Sequence, residues 1–580
     1  MVNRNRALYW EIAIVTSVVV AVVCIGYAGL DDYYNVRNEK HYSPSTVFYM
    51  TLQFFTLQFA LIDSPKDGAL NWQIELARFA APLLSSYAVV RAMTEIFAEP
   101  LKAARVSFLR NHVVICGLSQ KGFALVKDFR SRGVPVVLVE WDKENDLLEN
   151  CRDVGAYLVM GDATEELTLR KAACGHARLL FAVCDEDGVN AEIGMLAQTL
   201  VMRETGKAPL DMYLHIENLK LCALLRAHGV NERKSAGTRM RIFNIHENAA
   251  RFVLKDHPLD GDGIRSDDAR TVHLLIIGFS RMGETLALHA AQIGHFANGK
   301  KLKLTLVDRQ MKARSTPFRA RYPQFEQACD VEYWNEDYEE PKVLECIERY
   351  ARDEARLLTI AVCLAEDGVS LACALRCAEI LRERGVPILV RLDSDSGLAL
   401  LAEDSRGSHA ARIRTFVVGG SFCSEKEIVE KDRNKLARAI HDDARSRADS
   451  AHPAPRWHEL DDEARNFNRQ AADHVPVKMR AIGCEIVATQ KAAADFQFTK
   501  DELELLAQME HRRWRASRVL AGFRLGETAD GKKDPHRKIH PLLVEWAKLP
   551  DAEKERARAT VARIPAWLGM IEKGLKREAD

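Results

Sequence analysis

At 580 residues the chain is several times larger than one hydrophobic core, and at roughly 100–200 residues per domain it is expected to form about three to five units. Lys plus Arg and Asp plus Glu both number 82, so the net charge is zero, and no nucleic-acid partner is expected. The thirteen cysteines lie mostly in apolar runs such as "VVICG" (Val113–Gly117) and "LLFAVCD" (Leu179–Asp185) and form no C-x-x-C pair. That is the pattern of reduced, buried thiols on the cytosolic side, not of a disulfide framework, and no metal site is expected.

The first predicted element is a membrane span. Ile12–Leu30 runs 19 residues without a charge, close to the roughly 20 needed to cross a bilayer, and no small-residue cleavage motif marks it as a removable signal. A second charge-free run, Tyr42–Ile62, holds a doubled "TLQ". A third apolar segment, Ile74–Val90, carries Glu75, Arg78 and Pro82 and reads as a poor lipid-facing span. Arg4 and Arg6 precede the first segment, and Arg91, Lys102, Arg105 and Arg110 follow the third, which puts both outer flanks in the cytoplasm. The two intervening loops hold Asp31, Asp32, Glu39, Asp63 and Asp67 against Arg37, Lys40 and Lys66, and face outward. The middle segment must then enter the bilayer and return, which backbone survives only when buried in protein or lining an aqueous path. The expected location is the cell (inner) membrane, in contact with lipid, with both termini cytoplasmic. Span, pore-like loop and span over residues 1–110, followed by nucleotide-binding domains, resembles the order in ligand-gated potassium channels. No T-V-G-Y-G filter is present, and Tyr42–Ile62 lacks glycine. Thr51, Gln53, Thr56 and Gln58 are the pore candidates, whose hydroxyls and amides either replace part of an ion's hydration shell or bond neighbouring helices.

Next, an apolar strand, His112–Cys116, meets Gly117-x-Ser119-x-x-Gly122, a helix, and a second strand ending at Glu140. This is the arrangement that sets a pyrophosphate on a helix N-terminus and a ribose on the carboxylate. The pattern returns as Gly278-x-Ser280-x-x-Gly283 with a strand ending at Asp308, and two later segments also repeat. Tandem α/β domains of Rossmann type are expected at 111–250 and 271–423. "GDAT" (Gly161–Thr164) completes a resemblance to the TrkA-N or RCK family, the regulatory domains of potassium channels and transporters. That resemblance implies that NAD, NADH or an adenine nucleotide binds as a regulatory ligand at Gly117, Ser119, Gly122, Glu140 and Asp162. In the second copy the matching positions are Gly278, Ser280, Gly283 and Asp308, with "WNED" (Trp334–Asp337) in place of "GDAT". It also implies subunits gathered around one axis, a homotetramer being the expected assembly.

Residues 424–490 are charge-dense and Ala-rich, with Pro453 and Pro455, and read as a connector of solvated helices. Residues 491–580 hold Glu510-His511-x-x-Trp514, Gly522-Phe523-x-x-Gly526, His540-Pro541, Trp546 and Leu549-Pro550. They resemble the ryanodine-receptor repeat domain, a small helical fold, which implies ligand candidates Glu510, His511, Trp514, Arg518, His540 and Trp546. The alternative is that Trp514 and Trp546 are core aromatics. Helical spacing places Arg518 beside the Trp514 indole. His536 and His540 lie four apart without further zinc-type ligands. The leading reading is a nucleotide-gated, channel-like membrane protein with no catalytic residues. Its rivals are a non-conducting regulatory subunit and a membrane-anchored NAD-dependent oxidoreductase.

Overall fold

The computed structural model describes residues 2–577 apart from 38–40, 58–69, 204–208, 228–233, 236–237, 382–383, 394–412, 420–421, 430–433, 448–453, 489–495 and 529–532. The chain forms two compact units, Met1–Arg105 and Val106–Asp580.

Among the described residues, the first unit is built on three α-helices. Helix α1, Val2–Asp31, continues through a wider π-helical turn, Asp32–Arg37. Among the described residues, one helical stretch, Ala13–Arg37, is long and apolar enough to cross a membrane by length and composition. Helix α2, Pro44–Gln53, begins at Ser43, whose hydroxyl accepts from the Thr46 amide, with proline at the first helical position. Its ten residues span about 15 Å, half a hydrocarbon core. A 3-10 turn, Phe54–Thr56, follows, and Leu57 takes the left-handed conformation at φ 58°. The poor span around Ile74–Val90 is the interior of a 35-residue helix α3, Trp72–Val106. Its two charges neutralise each other, Arg78 lying 3.0 Å from Glu75 one turn away.

Small residues let the three helices close up. A Cβ on Gly26 would stand 3.1 Å from both Ala77 Cβ and Thr51 Cγ2, and one on Gly29 would stand 2.8 Å from Gln73 Cβ. Thr51 is therefore buried, and its hydroxyl donates to the Val47 carbonyl at 2.9 Å within its own helix. Among the pore candidates Thr51 is thus a packing residue: its hydroxyl is spent on its own helix and its methyl on Gly26. Gln53 is half-buried and Thr56 exposed, while Gln58 lies outside the described residues.

The second unit opens with a seven-stranded sheet. Its strands are β1 Val113–Cys116, β2 Val136–Glu140, β3 Tyr157–Met160, β4 Leu179–Ala182, β5 Leu210–His215, β6 Lys234–Ser235 and β7 Thr238–Phe243. Their order is β3-β2-β1-β4-β5-β7-β6, parallel except for the β6–β7 pair. A second sheet repeats the plan with β8 Thr271–Ile277, β9 Lys303–Val307, β10 Asp330–Trp334, β11 Arg356–Val362, β12 Ile388–Leu392 and β13 Ile413–Val417, in the order β10-β9-β8-β11-β12-β13. Runs such as "VVIC" and "VVLVE" are buried throughout, as strands covered by helices on both faces must be. In each sheet the order reverses between the first and fourth strands, which opens the crevice beyond their carboxyl ends where α/β sheets take ligands. Helix Ile245–Asp256 of the first domain packs on helix Arg281–Ile293 of the second. One continuous core joins Phe129, Val253, Leu286, Val475 and Leu506 across both domains and the C-terminal helices.

The connector differs from the solvated helices expected. Helix Lys435–Ser446 buries Ala437, Ala439, Ile440, His441 and Asp443. The Asp443 carboxylate accepts from Arg563 (Nη2, 2.5 Å) and from Trp567 Nε1 (2.9 Å), so its charge is paired inside the fold instead of hydrated. Strand Cys484–Ala488 pairs antiparallel with Lys573–Arg577. The C-terminal module therefore begins before residue 491, because its closing strand needs that partner.

Candidate functional site

At the carboxyl end of β1 the chain turns at Gly117, φ 99°, where a Cβ would lie 2.8 Å from the Cys184 amide nitrogen. Helix α4, Gln120–Ser131, starts immediately, and a Cβ on Gly122 would lie 2.2 Å from the Gly117 carbonyl oxygen. Neither position has room for a side chain, so backbone amides and the helix N-terminus are presented bare at the crevice. Ser119 stands at the N-cap in an extended conformation, yet its side chain caps no amide; among the described residues its buried hydroxyl has no hydrogen-bond partner.

Glu140, at the end of β2, is 5% exposed. Its Oε2 accepts from Leu118 N at 2.6 Å, and its Oε1 accepts from Trp141 N (3.1 Å) and Asp142 N (2.9 Å). The carboxylate thus fastens the glycine turn to the second strand, and any ribose hydroxyl would share oxygens already engaged. Asp162 follows β3 and accepts from Thr164 N (2.8 Å) and Thr164 Oγ1 (2.7 Å), shaping the "GDAT" turn at the rim.

The second copy repeats the frame with the vacancies filled. A Cβ on Gly283 would lie 2.2 Å from the Gly278 oxygen. Asp308 accepts from Phe279 N (2.8 Å) and Gln310 N (2.7 Å) and has Arg314 at 3.4 Å. Ser280, however, donates to the Cys363 carbonyl at 2.8 Å, and Arg281, the next residue, is ion-paired with Glu217 of the first domain. Trp334 ends β10 and Asn335–Asp337 follow it, much as "GDAT" follows β3. The first copy is the one with an unspent hydroxyl at its turn.

Residues 113–232 match the TrkA-N domain. A stretch of 98 residues is 32% identical to potassium channel protein 1 of Methanocaldococcus jannaschii, covering 17% of this chain and 29% of that one. Another of 96 residues is 28% identical to an uncharacterized protein of Methanothermus fervidus, covering 17% and 15%. The chain thus spans less than a third of either relative. Among solved structures, the GsuK channel bound to NAD is similar over 72% of this chain and 82% of its own, with 14% identity and a TM-score of 0.37. GsuK bound to ADP is similar over 70% and 95%, with 17% identity and a TM-score of 0.36.

Within residues 113–232, the structure adds residues that spacing alone did not reveal. Asn145 Nδ2 donates to the Leu118 carbonyl at 2.7 Å, a second tie on the turn. Cys184 packs under Gly117, and its thiol is pushed up to about 12 by burial and by the charges of Glu140 and Asp185. Lys121, in the first turn of α4, reaches Asp185 at 3.3 Å. Trp141, directly after the acid, is 76% exposed. Only Trp141 carried a sequence signal, a large aromatic next to the pocket carboxylate.

The C-terminal candidates divide. Glu510, His511 and Trp514 line a cavity of about 270 Å³ together with Phe467, Lys478 and Trp567. His511 stacks on Trp514 (centroids 5.7 Å apart, planes at 20°) and its Nε2 lies 2.8 Å from the Val544 carbonyl oxygen. His540 meets the edge of Trp514 at 4.9 Å. Trp546 and Arg518 do not line this cavity. Trp546 Nε1 donates to Glu504 at 2.9 Å. The Arg518 guanidinium lies over Phe467 at 4.8 Å, not beside Trp514, and its Nη1 lies 3.2 Å from Glu463. That corrects the expected Trp514–Arg518 stack: helix Asp462–Asp473 supplies both a ring and a carboxylate for the arginine.

Proposed function

We propose that the chain is a nucleotide-sensing membrane protein of potassium transport, whose first α/β domain takes NAD, NADH or an adenine nucleotide at the Gly117–Gly122 turn. The observation that carries this reading is the buried, unpartnered Ser119 hydroxyl at the N-terminus of α4, placed to donate to a phosphate oxygen where the helix dipole already favours an anion. The match to the TrkA-N domain and the similarity to a potassium channel protein support it. The ligand acts by binding one conformation of the cytosolic unit more tightly than the other, since equal affinity shifts nothing. The C-terminal module, read as a ryanodine-receptor-type sensor, would add a second input, and a homotetramer in the cell membrane is the assembly this reading expects.

Because the Ser119 hydroxyl has no partner among the described residues, Ser119→Ala separates binding from folding. Calorimetric titration of the full-length chain with NAD and ADP should show affinity lower by about tenfold, with thermal stability unchanged or raised. Glu140 next to the ribose should disfavour a 2′-phosphate, so NAD should bind more tightly than NADP. Equal affinities for wild type and Ser119→Ala would remove the phosphate from this turn, and steady-state consumption of the dinucleotide would favour an oxidoreductase instead.

A conducting role, as opposed to a regulatory one, is favoured by a single feature. A ten-residue helix, half a bilayer long, ends in a left-handed residue between two long helices, the local geometry of a segment that enters and returns. Reconstitution into bilayers should then give currents whose reversal potential shifts toward cation selectivity in Gln58→Glu. A well-folded Gln58→Glu protein with an unchanged reversal potential would leave the regulatory-subunit reading ahead.

A further inference from the structure

A cavity of about 420 Å³ opens where the three parts of the second unit meet, within the size range of small-molecule sites. Phe252 comes from the first α/β domain, Ile293 from the second, and Leu568 and Ile571 from the C-terminal module, and together they give it an apolar floor. Its charged lining is unbalanced, with five cationic side chains against two carboxylates.

Both carboxylates are already committed. Arg251 Nε and Nη2 hold Asp473 at 2.7 and 2.8 Å, and Arg480 Nε and Nη2 hold Asp260 at 3.0 and 2.7 Å. These bidentate forks neutralise the two acids and leave Lys255 and Lys573 as the cationic excess at the exposed rim. Lys255 and Lys573 make no ion pair among the described residues. An apolar floor beneath an excess of ammonium groups is complementary to a molecule with an apolar body and an anionic head.

We propose that this cavity binds an organic anion with an apolar body, its phosphate or carboxylate head between Lys255 and Lys573 and its body against Phe252, Ile293 and Leu568. The site is separate from the glycine turn and stands whether or not a nucleotide binds there. Since its walls come from both α/β domains and the C-terminal module, occupancy would favour conformations in which the three are assembled.

The probe is 1-naphthyl phosphate, titrated calorimetrically into the full-length chain in lipid nanodiscs with empty nanodiscs as the blank. One saturable site is expected, with 1-naphthol, which lacks the charge, and inorganic phosphate, which lacks the body, each binding about tenfold more weakly or worse. Added salt should weaken the phosphate ester but not naphthol. Lys255→Glu with Lys573→Glu should lower affinity by about tenfold or more, and Ala472→Trp, which fills the cavity, should abolish it. Three outcomes would overturn the proposal: no saturable binding, equal affinity in the charge-reversed protein, or phosphate alone binding as tightly as the ester. Should Ala472→Trp misfold, the lysine pair at the rim, which perturbs no core, still decides it.

Discussion

Glu510→Ala is expected to be among the most destabilising single substitutions in the cytosolic unit, costing about 3–5 kcal/mol. The Glu510 carboxylate accepts from Lys478 Nζ at 2.7 Å and from Arg513 Nη2 and Nε at 2.6 and 3.1 Å. The Lys478 and Arg513 side chains are 3% and 0% exposed. Burial pushes the Glu510 carboxyl up, but Arg513 and Lys478 more than offset it and hold it well below the usual carboxylate range. Removing it leaves two buried cations beside each other, with the Arg513 guanidinium resting on Phe467 at 4.9 Å. Urea unfolding of the full-length chain, followed by tryptophan fluorescence, should show an early transition in Glu510→Ala that Glu502→Ala, at the pairing with the more exposed Arg577, does not reproduce. If Glu510→Ala unfolds at the wild-type midpoint, the ion-pair hub does not hold the module together.

Mild acid should weaken the second unit well before its carboxylates titrate. Burial depresses His215, assisted by Lys121, to about 3; it does the same to His273 beside Arg356 and to His295 beside Arg512 and Arg513. His474 is pushed well below its ordinary value by burial and by Lys478. An unfolded histidine takes up a proton near pH 6.5, which these folded ones refuse, so the unfolded chain binds more protons and stability falls as pH drops from about 6.5 toward 3. By linkage each costs roughly 2 kcal/mol at pH 5. The packing explains the refusal: His474 Nε2 lies 3.0 Å from the His295 carbonyl oxygen, and the buried His295 Nε2 and His215 Nε2 have no hydrogen-bond partner among the described residues. Denaturation midpoints at pH 7.5, 6 and 5 should decline steadily, and His295→Gln should flatten part of the decline. A midpoint constant down to pH 4.5 would mean that these rings protonate freely in the folded chain.

Much of this molecule is decided by short-range pattern. Period and apolar runs set the tandem α/β domains, because a strand buried on both faces must read "VVIC" or "VVLVE" whatever surrounds it. Gly117 and Gly122 were identifiable as a tight strand-to-helix turn because no other residue tolerates φ 99° at one and a 2.2 Å approach at the other. The spacing from that turn to Glu140 was legible too, although it is explained first by a carboxylate tying down Leu118 N.

What the chain's pattern left undecided depends on contacts between residues far apart in sequence. Ser119 and Ser280 occupy the same motif position, yet only the neighbouring fourth strand determines that one hydroxyl meets the Cys363 carbonyl and the other meets nothing. The connector's charges looked solvated because Asp443 and its partners Arg563 and Trp567 stand more than a hundred residues apart. Thr51 could by type either line an ion path or bond within the helices, and the fold spends its hydroxyl on the Val47 carbonyl and sets its methyl beside Gly26. The sequence by itself determined which elements form and where their polar groups fall. The tertiary structure decided which of those groups are spent on each other, because burial makes an unpaired polar group costly and only the assembled fold sets which partners are in reach.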